Sequence, residues 1–143
     1  MKKFLFPLAV VVVLLCASCR DKAHIMTTYY QVHREYWTPI PYPADNSLTA
    51  YYYAKFEAPD ITSWVIDNGV VNCYYYNDGL QEPLPYTTYN LDTASGALYS
   101  ERLEFDMEPG YVYFILKDND FATENSIRNI PTVNIRMTVI ENY

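Results

Sequence analysis

Residues 132–140, which read Thr-Val-Asn-Ile-Arg-Met-Thr-Val-Ile, carry the pattern that decides the fold class of this chain. Apolar side chains occupy every second position of the stretch, at Val133, Ile135, Met137 and Val139. Successive side chains of a β-strand point to opposite faces of the sheet. The alternation therefore predicts a strand with one buried face and one face toward solvent.

The same alternation recurs upstream, at residues 102–107, where charged residues separate Leu103, Phe105 and Met107. Residues 108–110 read Glu-Pro-Gly, which is typical of a turn, and an apolar pattern resumes at residues 111–117. Two alternating segments joined by such a turn predict a β-hairpin.

Four further strands are predicted from segments rich in Tyr, Val, Ile and Thr that are separated by Pro, Asn, Asp and Gly. They cover residues 29–37, 48–57, 70–76 and 85–91. About seven short strands in one chain of this length indicate an all-β fold, an antiparallel β-sandwich of the immunoglobulin-like type.

One short helical turn is predicted between Pro59 and Gly69. Asp60 is placed to cap its first turn, and Val65 lies on the side that would face the core. Asn68 and Gly69 favour a left-handed end. One or two turns fit in this interval.

Residues 1–18 predict a cleaved signal peptide that forms a helix before its removal. Lys2 and Lys3 supply a positive start, and residues 4–15 are apolar. The run of about twelve apolar residues is too short to cross a bilayer core, which needs about 20 helical residues. A signal peptide is therefore favoured over a membrane anchor.

The segment that ends at Cys19 resembles the bacterial lipobox, in which small residues precede a cysteine that is acylated on its sulfur. Ala17 and Ser18 fit this pattern, and Cys16 stands where leucine is usual. The resemblance implies a lipoprotein that is held on a membrane by palmitate or similar chains on Cys19. Cys16 is a rival acceptor, but it follows the bulky Leu15. Ordinary secretory cleavage after Ser18 is the alternative, and it would leave Cys19 as a free thiol.

The mature chain is predicted to contain the lipidated cysteine with a flexible tether over residues 19–27 and a single β-sandwich domain over residues 28–143. Loss of the two N-terminal lysines leaves eight basic side chains against seventeen acidic ones. An acidic surface repels the phosphates of nucleic acid. No nucleic-acid partner is therefore predicted.

Several segments resemble a group of small uncharacterised lipoproteins and secreted proteins from Bacteroidota. They are residues 60–62, 65–71, Tyr74, 84–86 and 135–140. The resemblance implies a β-sandwich in the cell envelope, on an outer-membrane lipoprotein, and it implies no particular activity. Asn72 and Cys73 depart from the aliphatic residues that are commoner in the group. Residues 20–22 do not form the acidic run that directs lipoproteins of this phylum to the surface, so a periplasmic and a surface location both stay open.

No catalytic, metal or cofactor site is predicted, and the chain is predicted not to be an enzyme. His24 and His33 are the only histidines, and no further ligands stand at metal-binding spacing. Cys73 shares a strand face with apolar neighbours, which indicates a small buried residue rather than a nucleophile. Residues 117–120 lack the pattern of a calcium loop and are predicted to form a turn. An acidic hydrolase would need titratable groups that converge in one pocket.

The chain has sixteen tyrosines, and two triplets, at residues 51–53 and 74–76, must each place at least one ring outward. Exposed rings suit contact with a sugar or a protein, whereas cross-strand pairs of rings can also serve only the sheet. The residues predicted to contact a ligand are Trp37, Tyr52, Trp64 and Tyr75.

The function predicted from the sequence is that of a lipid-anchored envelope protein, a non-enzymatic binding or accessory module. One alternative is a carbohydrate-binding module, which predicts two or three coplanar exposed aromatic rings in a groove. The other is a subunit of a larger envelope complex, which predicts an exposed apolar patch or an unpaired edge strand.

Overall fold

The computed structural model describes residues 23–40, 50–91, 93, 96, 98–118 and 132–141. The predicted signal peptide, Cys19 and residues 119–120 of the predicted turn lie outside the described residues. Across the ranges that are described, no helix has the length and apolar character needed to cross a bilayer.

Nine strands form two antiparallel sheets in the described part of the chain. The four-stranded sheet contains, in spatial order, β1 (His24–Val32), β9 (Val133–Glu141), β4 (Val70–Asn77) and β5 (Leu80–Pro83). The five-stranded sheet contains β2 (Thr38–Ile40), β3 (Ala50–Ala58), β8 (Gly110–Asp118), β7 (Leu98–Glu108) and β6 (Tyr86–Leu91). A short helix, α1 (Ser63–Asn68), and a 3-10 turn (Arg34–Tyr36) complete the fold.

This architecture confirms the prediction of an all-β antiparallel sandwich at the level of its layers and strand direction. The strands number nine rather than about seven because β2 and β5 span only three and four residues. Segments that short cannot show an alternating pattern. The sequence pattern does not predict the order of the strands within each sheet.

The strand predicted from residues 132–140 is confirmed as β9, and it lies inside the four-stranded sheet between β1 and β4. Its apolar positions are all buried, with Ile135, Met137 and Val139 each 1% exposed. The polar positions between them face outward, which confirms a strand with one buried face.

The predicted hairpin is confirmed as β7 and β8. Glu108 pairs with Tyr111, so Pro109 and Gly110 form a two-residue connection. Gly110 has a φ of 83°, which a glycine adopts without the cost that a side chain imposes. Its amide donates to the carbonyl of Ile61 at 2.7 Å, and this bond ties the hairpin to the segment before α1.

The predicted boundaries of the first strand are wrong at both ends. Strand β1 begins at His24, so the last four residues of the predicted tether, 24–27, belong to the domain. It ends at Val32, because residues 34–36 turn into the 3-10 turn. Every residue of β1 pairs with β9, and this long-range pairing extends the strand into residues that the local pattern leaves in the tether.

The predicted helical turn is confirmed in place, but both of its predicted ends are wrong. Thr62, not Asp60, is the N-cap, and its hydroxyl accepts a hydrogen bond from the Val65 amide at 3.1 Å. Gly69 ends the helix with a φ of −99° and a ψ of −169°, an extended conformation rather than a left-handed one. The glycine is required by close packing instead.

Replacement of Gly69 by alanine is expected to lower the free energy of unfolding by about 1–3 kcal/mol, as overpacking does elsewhere. The added Cβ would lie 2.8 Å from the carbonyl oxygen of Ile140 and 2.9 Å from that of Val65. Both atoms belong to the backbone, so α1 and β9 must move apart. Urea unfolding would measure the change, with Asp67→Ala as the control on the exposed side of the same helix. Equal midpoints for Gly69→Ala and the unchanged protein would contradict this close approach.

The hydrophobic core lies between the two sheets. Its buried members include Val32, Ala54, Ile61, Val65, Cys73, Val112, Phe114, Ile135, Met137 and Val139. An aromatic cluster crosses the interface, because the ring centroid of Tyr30 on β1 lies 5.3 Å from the rings of both Phe56 and Phe114. The two sheets are thereby joined by ring contacts as well as by aliphatic packing.

Candidate ligand-binding face

Two of the residues predicted to contact a ligand are core residues. Trp37 is 6% exposed and Tyr52 is 7% exposed. Tyr52 is the middle residue of its triplet, and strand alternation turns it inward while Tyr53 faces outward. Tyr53 thus supplies an outward ring of this triplet. Trp37 and Tyr52 do not have the exposure on which their predicted contact with a ligand depends.

The other two predicted residues lie apart. Tyr75 is half-buried and faces the interior, where its ring stacks on Tyr86 with centroids 5.4 Å apart and an interplanar angle of 11°. Trp64 lies on α1 and is 53% exposed. The fold does not bring the four predicted residues together into one site.

A groove lies instead on the outer face of the five-stranded sheet. The central strand β8 turns Tyr113 and Ile115 outward, and β3 and β7 place Tyr53 and Asp106 beside them. The open groove has a volume of about 370 Å³ and is lined by Tyr53, Asp106, Met107, Glu108, Tyr113 and Ile115. We refer to it as the tyrosine groove.

The rings of Tyr53 and Tyr113 form the aromatic part of the tyrosine groove. Their centroids lie 6.4 Å apart, and the planes are tilted by 45°. The rings are therefore not coplanar, in contrast to the arrangement that the carbohydrate-binding alternative predicted. They form two walls at an angle, which suits a ligand that presents two apolar surfaces.

A charged pair borders the groove. The Lys55 ammonium lies 3.0 Å from Glu108 Oε1, and the Tyr113 hydroxyl donates a hydrogen bond to the same oxygen. The same ammonium lies 3.8 Å from the ring centroid of Tyr111 and 4.9 Å from that of Tyr113. Such contacts of a cation with ring faces are attractive. Lys55 and Glu108 thus hold the Tyr113 ring in one position.

The charges of this pair are stabilised by one another and by tyrosine. The hydrogen bond from Tyr113, and then Lys55, hold the pKa of Glu108 below its ordinary value. The hydrogen bonds with Tyr113 and Glu108 raise the pKa of Lys55 above its ordinary value. Both groups are therefore charged at neutral pH. Because both are open to solvent, the pair orients Tyr113 rather than adding much stability.

Glu108 lacks one property of a general acid. Hydrolysis of a glycosidic bond needs a carboxylic acid with a raised pKa as proton donor, whereas the pKa of Glu108 is lowered. Cys73 is buried away from the groove, and desolvation raises the pKa of its thiol to about 12. Within the described ranges, no group of three or more His, Cys, Asp or Glu side chains is placed to hold a metal ion.

The alternation in β8 is the signal that could have identified the groove. Val112, Phe114 and Leu116 are the buried positions of this strand, so Tyr111, Tyr113 and Ile115 must face outward.

Comparison with protein-family models, with curated proteins and with solved structures found no match.

Proposed function

We propose that the protein is a lipid-anchored binding module of a bacterial cell envelope, and that it binds a neutral polysaccharide through the tyrosine groove. The proposal is carried by the groove itself, with two tyrosine rings beside two carboxylates on a solvent-facing sheet. The proposed function involves no catalytic step, and it agrees with the resemblance to small Bacteroidota lipoproteins.

Each tyrosine ring matches the apolar C–H face of one sugar ring, and nearby polar groups select its hydroxyls. Because the two rings are tilted by 45° rather than coplanar, they suit two sugar units that are turned relative to one another, not a flat chain lying across both rings. Asp106 and Glu108 can accept hydrogen bonds from hydroxyls, and Lys55 can donate them. The formal net charge of the chain is −7, and two carboxylates line the groove. An acidic polysaccharide would be repelled from this face, so the ligand is proposed to be neutral.

The anchor is proposed from the N-terminal sequence and is consistent with the position of β1. Strand β1 begins at His24, five residues after Cys19. A fully extended chain spans at most about 3.6 Å per residue. A lipid on Cys19 would therefore hold the domain close to the membrane surface.

Replacement of Tyr113 by alanine is expected to weaken binding of the polysaccharide by about tenfold or more, since tenfold corresponds to about 1.4 kcal/mol. The change removes one ring and releases Glu108. Tyr113→Phe keeps the ring and is expected to retain most of the affinity. Titration calorimetry against a panel of neutral polysaccharides, among them cellulose-derived and xylan-derived oligomers, would measure both variants.

Tyr89→Ala is the matched control, because Tyr89 is 82% exposed on β6 and does not line the groove. It is expected to bind as the unchanged protein does. A protein that binds no neutral polysaccharide, or that loses as much affinity with Tyr89→Ala, would overturn the proposal.

A second candidate is a subunit of an envelope protein complex, and the edge strand β1 favours it. Its sequence, His-Ile-Met-Thr-Thr-Tyr-Tyr-Gln-Val, contains no Lys, Arg, Asp, Glu or Pro, the residues that commonly protect an edge from a partner strand. Among the described strands, only β9 pairs with it. The mass of the protein after extraction in mild detergent distinguishes the two candidates. A subunit of a complex would have a mass larger than that of one chain, whereas the binding module would have the mass of one chain.

A further inference from the structure

The outer face of the four-stranded sheet differs in charge from the rest of the chain. By register, Tyr29 on β1 and Tyr74 on β4 lie on either side of Arg136 on β9. The outward positions on the described parts of these three strands carry hydroxyl, amide, aromatic and aliphatic side chains, and Arg136 is the one charge among them. In a chain with 17 acidic residues, the described residues of this face include a single cation and no carboxylate. We refer to it as the arginine face.

Arg136 is held in place but incompletely paired. Its Nη1 donates to Gln81 Oε1 on β5 at 2.7 Å, which orients the guanidinium. Its Nε is buried and has no hydrogen-bond partner among the described residues. A buried donor without a partner costs about 1–3 kcal/mol, and more for a charged group. The guanidinium is therefore held in one orientation, and because Nε is closed to solvent, a ligand can bind it only through its Nη atoms.

The other basic residues on the described strands are paired differently. Lys55 pairs with Glu108, and both Arg102 and Lys117 pair with Glu104. No carboxylate of the described residues forms an ion pair with Arg136. A negative group supplied by a ligand would pair with the guanidinium through its Nη atoms.

An aromatic surface lies next to this cation. Tyr29 is 67% exposed, and its ring makes an edge contact with Tyr76 at a centroid distance of 6.4 Å. Asn134, the outward position that precedes Arg136 on β9, accepts a hydrogen bond from Gln31. A cation, an exposed ring and amides thus share one face of neighbouring strands.

The geometry points to a binding site for an acidic saccharide, in which Arg136 receives the carboxylate of a uronic acid and Tyr29 contacts the sugar ring. The planar guanidinium matches a carboxylate, which can accept two parallel hydrogen bonds. A single cation balances the single charge of a carboxylate, whereas a phosphate dianion would need further cations.

The acidity of the whole chain does not prevent such binding. At physiological ionic strength the screening length is about 8 Å, so carboxylates on the other sheet act weakly across the sandwich. A contact at the partly buried guanidinium is screened much less. The arginine face and the tyrosine groove lie on opposite sheets, so this inference does not depend on the proposed neutral ligand of the groove.

The test is titration calorimetry of the purified full-length protein with oligogalacturonate, alginate oligomers and hyaluronan oligomers, and with a neutral galactose oligomer as the matched ligand. We expect binding of at least one acidic oligomer and no comparable binding of the neutral one at this face. Arg136→Gln is expected to weaken acidic binding by about tenfold or more, in line with hydrogen bonds to charged groups. Arg136→Lys keeps the charge but not the planar guanidinium, and it is expected to bind more tightly than Arg136→Gln and less tightly than the unchanged protein.

Tyr29→Ala provides a second variant, because a side chain so exposed can be removed without disturbing the core. It is expected to weaken binding of the acidic oligomer, while Tyr89→Ala and the groove variant Tyr113→Ala leave it unchanged. The inference is overturned if none of the acidic oligomers binds, if the neutral oligomer binds equally at this face, or if neither Tyr29→Ala nor a folded Arg136→Gln weakens binding.

Discussion

Replacement of Phe114 by alanine is expected to lower the free energy of unfolding by about 3–5 kcal/mol, the usual cost of removing a buried aromatic ring. Phe114 is 0% exposed in the central strand of the five-stranded sheet. Its ring centroid lies 5.3 Å from that of Tyr30 and 5.8 Å from that of Phe56. The variant loses the transfer free energy of the ring and leaves a cavity at the contact between the sheets.

Small domains are stable by about 5–15 kcal/mol, so this loss is a large fraction of the total. Urea unfolding followed by far-ultraviolet circular dichroism would measure it. Phe114→Leu, which retains part of the volume, is expected to cost less, and the exposed Tyr89→Ala is expected to change the free energy by no more than about 0.5 kcal/mol. A loss below about 1 kcal/mol for Phe114→Ala would show that Phe114 does not lie in a close-packed core.

Replacement of Cys19 by alanine is expected to abolish acylation and to release the protein from the membrane fraction. The proposed anchor uses the sulfur of this residue, and each buried methylene of an acyl chain contributes about 0.8 kcal/mol to membrane binding. Two or more acyl chains therefore hold a protein stably on a membrane. The alanine variant has no sulfur to carry them. Intact mass spectrometry of the membrane-extracted protein, with and without the change, would detect the acyl mass.

Cys16→Ala is the matched control for the lipidation site and is expected to leave the acyl mass unchanged. Cys73 is no competing acceptor, because its side chain is 1% exposed between the sheets. Acyl mass that persists in Cys19→Ala, or that disappears in Cys16→Ala, would contradict the assignment. An unmodified Cys19 in the natural protein would instead support secretory cleavage after Ser18.

The two outer faces of the sandwich present different chemistry. Asp106 and Glu108 line the tyrosine groove on one face, whereas the described residues of the opposite face include Arg136 and no carboxylate. The proposed ligands therefore differ in charge. Ligand titrations with Tyr113→Ala and Arg136→Gln separate the two proposals, because each variant alters only one face.

The parts of the fold that the sequence predicted well are those that depend on local alternation. Strand β9 and the hairpin of β7 and β8 are predicted because their apolar and polar positions alternate over six or more residues. The burial of Cys73 follows from the same pattern. The first strand was placed wrongly, because its pairing with β9 joins residues more than 100 positions apart and leaves no local mark.

The candidate sites were predicted less well than the strands. Trp37 and Tyr52 were chosen as aromatic residues that a ligand could reach, but both pack into the core. Alternation assigns residues to the same or to opposite faces of one strand, and it does not tell which face another sheet will cover. Tyr113 became a candidate only when β3 and β7 placed Tyr53 and Asp106 beside it.

The sequence by itself determined the all-β class, the hairpin and its turn, and the position of the short helix. These features arise from interactions between residues that are close along the chain, together with the two-residue period of a strand. Only the tertiary structure decided which strands are neighbours, which rings are buried and which charges are paired. Among the described residues Arg136 has no carboxylate partner, because β1 and β4 bring Tyr29 and Tyr74 to its sides, and that pairing is set by the packing of the whole sandwich.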